Sequence, residues 1–183
     1  MTDNLERHKV TASLRARMVD WMIEVLTNFK CSDQTYFLSV DLMDRYFKLV
    51  QTPREVADLH ITGVTCMFIA SKFEDMYPLR MKMIFEKIAH QKIPIREIKD
   101  TEQKILKSIK FKISESPTSL EFLQSYHTQL LHSSPDSQLI LKMSIYLAKM
   151  NNHDYELSQR RSSLLAASSL FVSLKICEQL RKT

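Results

Sequence analysis

The stretch from Ile61 to Ala70 restricts the possible folds of this chain more than any other, because it is apolar on every side. A surface helix needs only one apolar stripe, so a helix of this composition requires other helices all around it. Gly63, the only glycine among 183 residues, lies inside this stretch, and a lone glycine within a helical pattern indicates close packing. We therefore predict a central helix, which Pro53 opens and Pro78 closes.

The composition predicts an all-α protein. One glycine and five prolines leave little material for β-turns, whereas the frequent Leu, Met, Ile, Lys and Glu favour helices. Cys31, Cys66 and Cys177 are odd in number and far apart, which indicates neither a disulfide framework nor a zinc site.

No apolar run reaches the roughly 18 residues of a membrane span, and the first residues lack the apolar core of a signal peptide. We expect a soluble protein of a reduced, intracellular compartment.

Apolar residues recur at helical spacing along the rest of the chain, with Ser32 or Asp33 as the N-cap of the second helix and Pro94 as the first residue of the fifth. The predicted helices span about 14–29, 33–50, 53–77, 80–90, 94–109, 118–131, 137–150 and 161–180. We expect a polar, loosely held segment at 1–13, a first helical unit at 14–113 and a second at 114–183, with a short extended run before Pro117 at the boundary. A shift of 103 positions lays Lys72 over Lys175, a hint of internal duplication that chance explains equally well.

Two charged residues, Lys72 and Glu102, lie on helix rows that are otherwise apolar. They are either a buried structural ion pair or partly exposed groups that bond the backbone of a partner. The neighbouring apolar residues Ile69, Phe73 and Leu106 favour the second hypothesis, since exposed apolar groups around a polar pair are typical of a binding patch.

Three motifs, in this order, resemble the cyclin box of the mitotic A- or B-type cyclins: LRARMVDWMIEV at Leu14–Val25, DRYF at Asp44–Phe47 and IASKFEDMYP at Ile69–Pro78. The resemblance covers 14–113, whereas the second unit is similar only in helical outline. It implies a cyclin fold, with one complete five-helix cyclin box followed by a shortened second box. It also implies no catalysis and no cofactor, but a regulatory subunit that binds and activates a cyclin-dependent serine/threonine protein kinase in G2/M control, in nucleus and cytoplasm.

The resemblance implies roles for individual residues. In the family, the matching Lys and Glu hydrogen-bond backbone near the kinase C helix, and the position of Glu74 reaches the activation segment. Arg15 and Asp44 match a structural pair. The implied kinase-binding residues are Lys72, Glu102, Ile69, Phe73, Glu74, Leu106, Phe111 and Ile113.

A second surface is implied, a groove that docks substrates or inhibitors with Arg-x-Leu motifs. It matches Leu14, Arg17, Met18, Trp21, Glu24, Leu59 and His60. Arg17 stands where the family has an aliphatic residue, and His60 where it has a glutamine. Because Arg17 should repel the arginine of the motif while Glu24 remains to attract it, we expect weaker or altered docking.

The sequence starts after the position of the degradation box that mitotic cyclins carry, and it stops before two expected helices. The resemblance leaves open whether the chain is a fragment, and a truncated second box would leave apolar surface over 164–174 uncovered.

Other functional classes have weaker support. The histidines, such as His127 and His132, lack the spacing of metal ligands, and neither a phosphate loop nor a nucleophile constellation is recognisable. The lysines of 99–112 could contact phosphate but are typical of a solvated helix face. The alternative is a transcription-factor-like protein with the cyclin fold that binds DNA and a protein partner. A net charge of only +5 and the kinase-type Lys72 and Glu102 disfavour it.

Overall fold

The computed structural model describes residues 5, 7–131 and 136–181, and this part of the chain is helical without a strand. The helices are α1 (Ala12–Asn28), α2 (Asp33–Leu49), α3 (Val56–Glu74), α4 (Met81–Met83, continued by a π-helical turn over Ile84–Ile88), α5 (Ile95–Ser108), α6 (Ser119–Leu130), α7 (Ser137–His153), α8 (Tyr155–Ser158) and α9 (Ser162–Leu180). The prediction of an all-α fold is confirmed. The chain divides into two compact units, 1–115 and 116–183, two residues after the expected boundary.

Helix α3 is the centre of the first unit, as predicted. Every residue from Ile61 to Ser71 is buried, and the helix packs against α1, α2 and α5. It begins later than predicted, because Glu55 and Asp58 form a capping box that fixes its start after Pro53. It ends at Glu74, four residues before Pro78.

The single glycine permits the contact between α1 and α3. A Cβ atom on Gly63 would overlap the terminal methyl group of Met18, whose sulfur would lie 3.1 Å from it. The end of Met18 therefore fills the place that any other residue type at position 63 would occupy. The packing reason predicted for this glycine is confirmed.

Several local predictions need correction. Ser32, and not Asp33, caps α2, since its hydroxyl accepts from the Thr35 amide. Pro94 is the N-cap of α5 and not its first residue, because its ψ of 141° is not helical. The run before Pro117 is not extended: it bends over residues 113–116 and follows a turn in which Lys110 and Phe111 take left-handed φ values of 52° and 59°.

The N-terminal segment is packed and not loose where the structure describes it. Leu5 and Val10 are buried. The ring of buried His8 bonds at both nitrogens, with the Phe47 carbonyl 2.8 Å from Nε2 and the Arg54 amide 3.2 Å from Nδ1. Polar composition misled the prediction, because Leu5, His8 and Val10 are buried although Arg7 and Lys9 beside them are exposed.

The second unit is a smaller bundle in which α6, α7 and α9 pack against one another. As expected, α9 exposes apolar side chains, among them Leu164, Phe171 and Val172. Contrary to the prediction from apolar runs, α3 and α9 are both long and apolar enough to cross a membrane by length and composition. That is weak evidence for a span, since the core helix of a soluble protein passes the same test, and α3 is such a buried helix.

Candidate functional site

Lys72 and Glu102 meet at the surface of the first unit. Lys72 lies in the last turn of α3, and its ammonium group pairs with the Glu102 carboxylate of α5. Its Nζ atom also lies 4.0 Å from the centroid of the Phe68 ring. The Lys72 side chain is 41% exposed and that of Glu102 is 17% exposed. The two residues thus form an ion pair that still reaches solvent, so it is not fully buried, and a bond to the backbone of a partner stays a prediction.

Two exposed aromatic residues lie near this pair in the chain, since Phe73 follows Lys72 in α3 and Phe111 comes just after the end of α5. Phe73 is 52% exposed and Phe111 is 67% exposed, while Leu106 is half-buried between the pair and the end of α5. We call Lys72, Glu102, Phe73, Leu106 and Phe111 the α3–α5 patch. Glu74, the last residue of α3, is exposed beside it.

One predicted patch residue, Ile69, does not fit, and another, Ile113, is only partly exposed. The expectation that Ile69 is exposed is wrong, because only 2% of it reaches solvent. Helix α3 is enclosed on all sides as far as Ser71, so a residue one turn before Phe73 is still in the core. Ile113 is half-buried, and its carbonyl accepts a bond from Arg45.

Arg45 of α2, for which no role was predicted from the sequence, holds the turn that carries Phe111. Its guanidinium donates to the carbonyls of Ile113 (2.8 Å) and Lys112 (2.6 Å) and pairs with Glu115 (3.2 Å). The turn needs such support, because Phe111 is a bulky residue in the left-handed region. A charge on a mostly buried helix was the only sequence signal for this contact.

The segment after α3 is also fixed. The Ser32 amide donates to Asp75 at 3.0 Å, and the Leu79 amide donates to the Ser71 hydroxyl at 2.8 Å. Burial alone would raise the pKa of Asp75, but the bonds from Ser32, Thr35 and Ser71 outweigh burial and lower it. Between these anchors Met76 and Tyr77 are exposed, next in the chain to the α3–α5 patch. The sequence prediction missed both, although they belong to the IASKFEDMYP motif.

The second predicted surface is a groove of about 250 Å³ between α1 and the start of α3. Its lining contains six of the seven predicted residues and adds Val56; it consists of Leu14, Arg17, Met18, Trp21, Val56, Leu59 and His60. Glu24 is exposed on α1 but does not line it.

Arg17 and His60 are the two polar residues of the groove that lie among its apolar ones. The Trp21 and His60 rings are 5.0 Å apart at their centroids, inclined by 52°. Burial lowers the pKa of His60, and the nearby Lys92 and His90 lower it further. Arg17 is exposed at the surface of α1. We call this surface the α1–α3 groove.

The predicted pair of Arg15 and Asp44 is formed behind the groove. Buried Arg15 donates from Nε to Oδ1 at 2.7 Å and from Nη2 to Oδ2 at 2.6 Å, a two-bond pair that joins α1 to α2.

Metal-binding and nucleophilic groups contribute little to either surface. The described ranges contain no group of three His, Cys, Asp or Glu side chains that could hold a metal ion, and His132 lies outside them. His127 bonds to Ser137, with Nε2 2.7 Å from the hydroxyl. Burial, with Asp75 nearby, raises the pKa of the Cys31 thiol to about 12, so that it stays protonated.

Comparison with known proteins adds independent findings. Residues 1–114 match the family model described as cyclin, N-terminal domain, and residues 117–183 match that of cyclin, C-terminal domain. The chain is 29% identical to the G2/mitotic-specific cyclin-B1 of Oryzias latipes, over 95% of its own length and 41% of that protein. It is 33% identical to the G2/mitotic-specific cyclin-B of Drosophila melanogaster, over 95% of its own length and 32% of that protein. The chain thus spans about two fifths or less of these relatives.

A solved structure supports the fold. The chain aligns with a viral cyclin from Herpesvirus saimiri at a TM-score of 0.80 and 18% identity, covering 92% of this chain and 72% of that one. Both helical units, and the motifs around Arg15, Lys72 and Glu102, lie inside the matched residues. With family models that together cover nearly all of its length, the chain belongs to the cyclin family.

Proposed function

We propose that this chain is the regulatory subunit of a cyclin-dependent serine/threonine protein kinase, which it binds through the α3–α5 patch and activates in G2/M control. The observation that carries the proposal is the partly exposed Lys72–Glu102 pair, with exposed Phe73 next to Lys72 in α3 and exposed Phe111 just after the end of α5. The names of the relatives, G2/mitotic-specific cyclins, support the cell-cycle role. In this proposal the chain itself catalyses nothing and acts in the nucleus and the cytoplasm.

The chemistry of the patch suits a partner's backbone. An ammonium group has three N–H donors, and Glu102 occupies only part of that capacity, so Lys72 can also donate to backbone carbonyls of a bound segment. The second carboxylate oxygen of Glu102 can accept from a backbone amide. The exposed rings of Phe73 and Phe111, once covered by the partner, would help to exclude water from these bonds and strengthen them.

Binding of this kind can activate a kinase. Phosphoryl transfer requires an ion pair between a lysine of the kinase and a glutamate of its C helix. A partner that binds only the conformation with this pair formed shifts the population toward it. The rigid mounting of the patch, with Arg45 holding the Phe111 turn, lets the chain favour one position of the C helix.

The binding step is tested with a purified cyclin-dependent kinase and a variant that lacks the pair. We expect Lys72→Ala with Glu102→Ala to weaken binding by about 2 to 4 kcal/mol, as is typical of central interface residues. Titration calorimetry measures the affinity, and circular dichroism shows whether the variant is folded.

The second unit provides a matched control. Lys175 of α9 pairs with Glu178 at 2.9 Å, and its Nζ lies 5.7 Å from the centroid of the Phe171 ring. It thus repeats the Lys–Glu–Phe arrangement of the patch. Lys175→Ala with Glu178→Ala removes the same charges, and we expect kinase affinity to stay within twofold. An equal loss of kinase affinity in the Lys72/Glu102 and Lys175/Glu178 double variants would contradict the proposal.

We further propose that the α1–α3 groove docks linear segments of substrates or inhibitors. Its apolar floor, formed by Met18, Leu59 and Trp21, offers a place for an aliphatic side chain. This docking is separate from kinase activation, because the groove residues lie on α1 and the start of α3 and the patch residues at the end of α3 and beyond.

A further inference from the structure

The charges around the α1–α3 groove are arranged for an anion. Arg17 is the only fully charged residue in the lining, which contains no carboxylate. It forms no ion pair with any residue in the described part of the chain. Burial of His60, on the other side of the lining, lowers its pKa, and the nearby Lys92 lowers it further.

The acidic residues nearby lie outside the lining, although Asp20, three residues after Arg17 on α1, is close enough to weaken the positive potential of Arg17. Glu55 is engaged with Lys9, whose Nζ lies 2.8 Å from its carboxylate, and Asp58 accepts from the Glu55 amide at 2.9 Å. Asp20 and Glu24 are exposed on α1 outside the lining. Glu24 lies seven residues from Arg17, about 10 Å along the helix axis.

The apolar part of the groove requires an aliphatic side chain in the ligand, beside its charged group. Leu14, Met18 and Leu59 form its floor, and the stacked Trp21 and His60 rings close one side. A volume of about 250 Å³ accommodates one or two aliphatic side chains. Both polar positions, Arg17 and His60, border this floor, so a charged group of the ligand must lie close to its aliphatic group.

We propose that the groove binds a linear peptide segment whose aliphatic side chain enters the apolar floor and whose neighbouring Asp or Glu pairs with Arg17. The inference rests on the docking role proposed above. It reverses the charge of the Arg-x-Leu motif, because the cation that such a motif would bring is already present in the lining.

Peptide binding to the full chain tests this without any kinase. The probes are short, terminally blocked peptides in which a leucine is flanked on both sides by glutamate, by glutamine or by arginine, labelled for fluorescence anisotropy. We expect the glutamate peptide to bind about twofold to fivefold more tightly than the glutamine one, the range of a partly exposed ion pair. The arginine peptide should bind most weakly, and added salt should reduce the differences.

Variants assign the effect to Arg17. Arg17→Glu should invert the order of the glutamate and arginine peptides, and Arg17→Lys should preserve it. Arg160→Glu is the control, since it changes the net charge equally at an exposed site in the second unit and should leave the order unchanged.

Three results would overturn the inference: tightest binding of the arginine peptide to the parent chain, an order that Arg17→Glu does not change, or no binding of any peptide. None of them bears on kinase activation, which is measured with a substrate that lacks a docking motif. A loss of kinase activation with the predicted peptide order would reject the proposed kinase role and leave the groove assignment standing.

Discussion

Arg15 and Asp44 join α1 to α2 by two parallel hydrogen bonds, from Nε to Oδ1 at 2.7 Å and from Nη2 to Oδ2 at 2.6 Å. The guanidinium is buried, and its neighbours in α1, Leu14 and Met18, belong to the α1–α3 groove. This pair therefore holds the helix that forms one wall of the groove.

Removal of the Asp44 charge should destabilise the fold. We expect Asp44→Asn to lower the free energy of unfolding by about 3 kcal/mol, because it removes the carboxylate that accepts two hydrogen bonds from the buried Arg15 guanidinium. Urea denaturation measures the change. The double variant Arg15→Met with Asp44→Leu should lose less stability than Asp44→Asn, since both charges of the pair are removed together. An Asp44→Asn chain as stable as the parent would show that the pair contributes little.

A methyl group at position 63 should disturb the groove. Ala favours a helix over Gly by about 1 kcal/mol, but overpacking in a core costs about 1 to 3 kcal/mol. Because the added Cβ would overlap Met18, we expect Gly63→Ala to lower stability by about 1 kcal/mol. The double variant Gly63→Ala with Met18→Ala should lose less stability than the sum of the two single losses, because the shortened side chain no longer overlaps the added methyl group. A Gly63→Ala chain more stable than the parent would mean that Met18 moves away freely.

The sequence was most informative where one pattern dominates. The stretch Ile61–Ala70 predicted the buried helix because no other arrangement covers all its sides. Lys72 and Glu102 were identified as misplaced charges, and they lie side by side in the structure. The groove residues came from the resemblance to the cyclin box, and six of the seven line one surface.

What the sequence could not predict depends on tertiary contacts. Helical spacing puts Ile69 beside Lys72, but only the packing of α3 against its neighbours shows that Ile69 is buried. A left-handed Phe111 contradicts local preference, since bulky residues disfavour positive φ. Arg45, which bonds to the carbonyls that follow Phe111, lies more than sixty residues away in the chain. The π-helical turn at Ile84–Ile88 likewise has no signature in apolar spacing.

Loss of the Arg45 side chain should release the Phe111 turn. We expect Arg45→Ala to speed amide hydrogen exchange over 109–115, because three contacts to this turn are lost. If the α3–α5 patch binds a kinase, affinity should fall about tenfold, the cost of ordering the turn on binding. Lys112→Ala, which removes only an exposed pair with Glu115, is the control. Unchanged exchange in Arg45→Ala would show that the turn is stable without it.

Asp41 should make the stability of the first unit depend on pH. Burial raises the pKa of Asp41 to about 6; Arg45 offsets part of the rise, and Asp44 and Glu115 add to it. Between about pH 4 and pH 6 the folded chain thus binds more protons than the unfolded one, so the contribution of Asp41 to stability falls as the pH rises through this window. The side chain is 38% exposed, and with solvent screening we expect a cost of about 1 kcal/mol above pH 6.

The variant Asp41→Asn isolates this contribution, because the amide resembles the protonated acid at every pH. Relative to the parent, its free energy of unfolding should rise by about 1 kcal/mol between pH 4 and pH 7, measured by urea denaturation at each pH. A difference between the two chains that stays constant over this range would contradict the raised pKa of Asp41.

Activation of a kinase is the most direct test of the central claim. The measurement is phosphorylation of a linker histone by a purified mitotic cyclin-dependent kinase, alone, with this chain, and with each double variant. We predict activation by the parent chain and by Lys175→Ala with Glu178→Ala, and its loss with Lys72→Ala and Glu102→Ala. A kinase that is equally active with and without the chain, or equally activated by both variants, would contradict the claim.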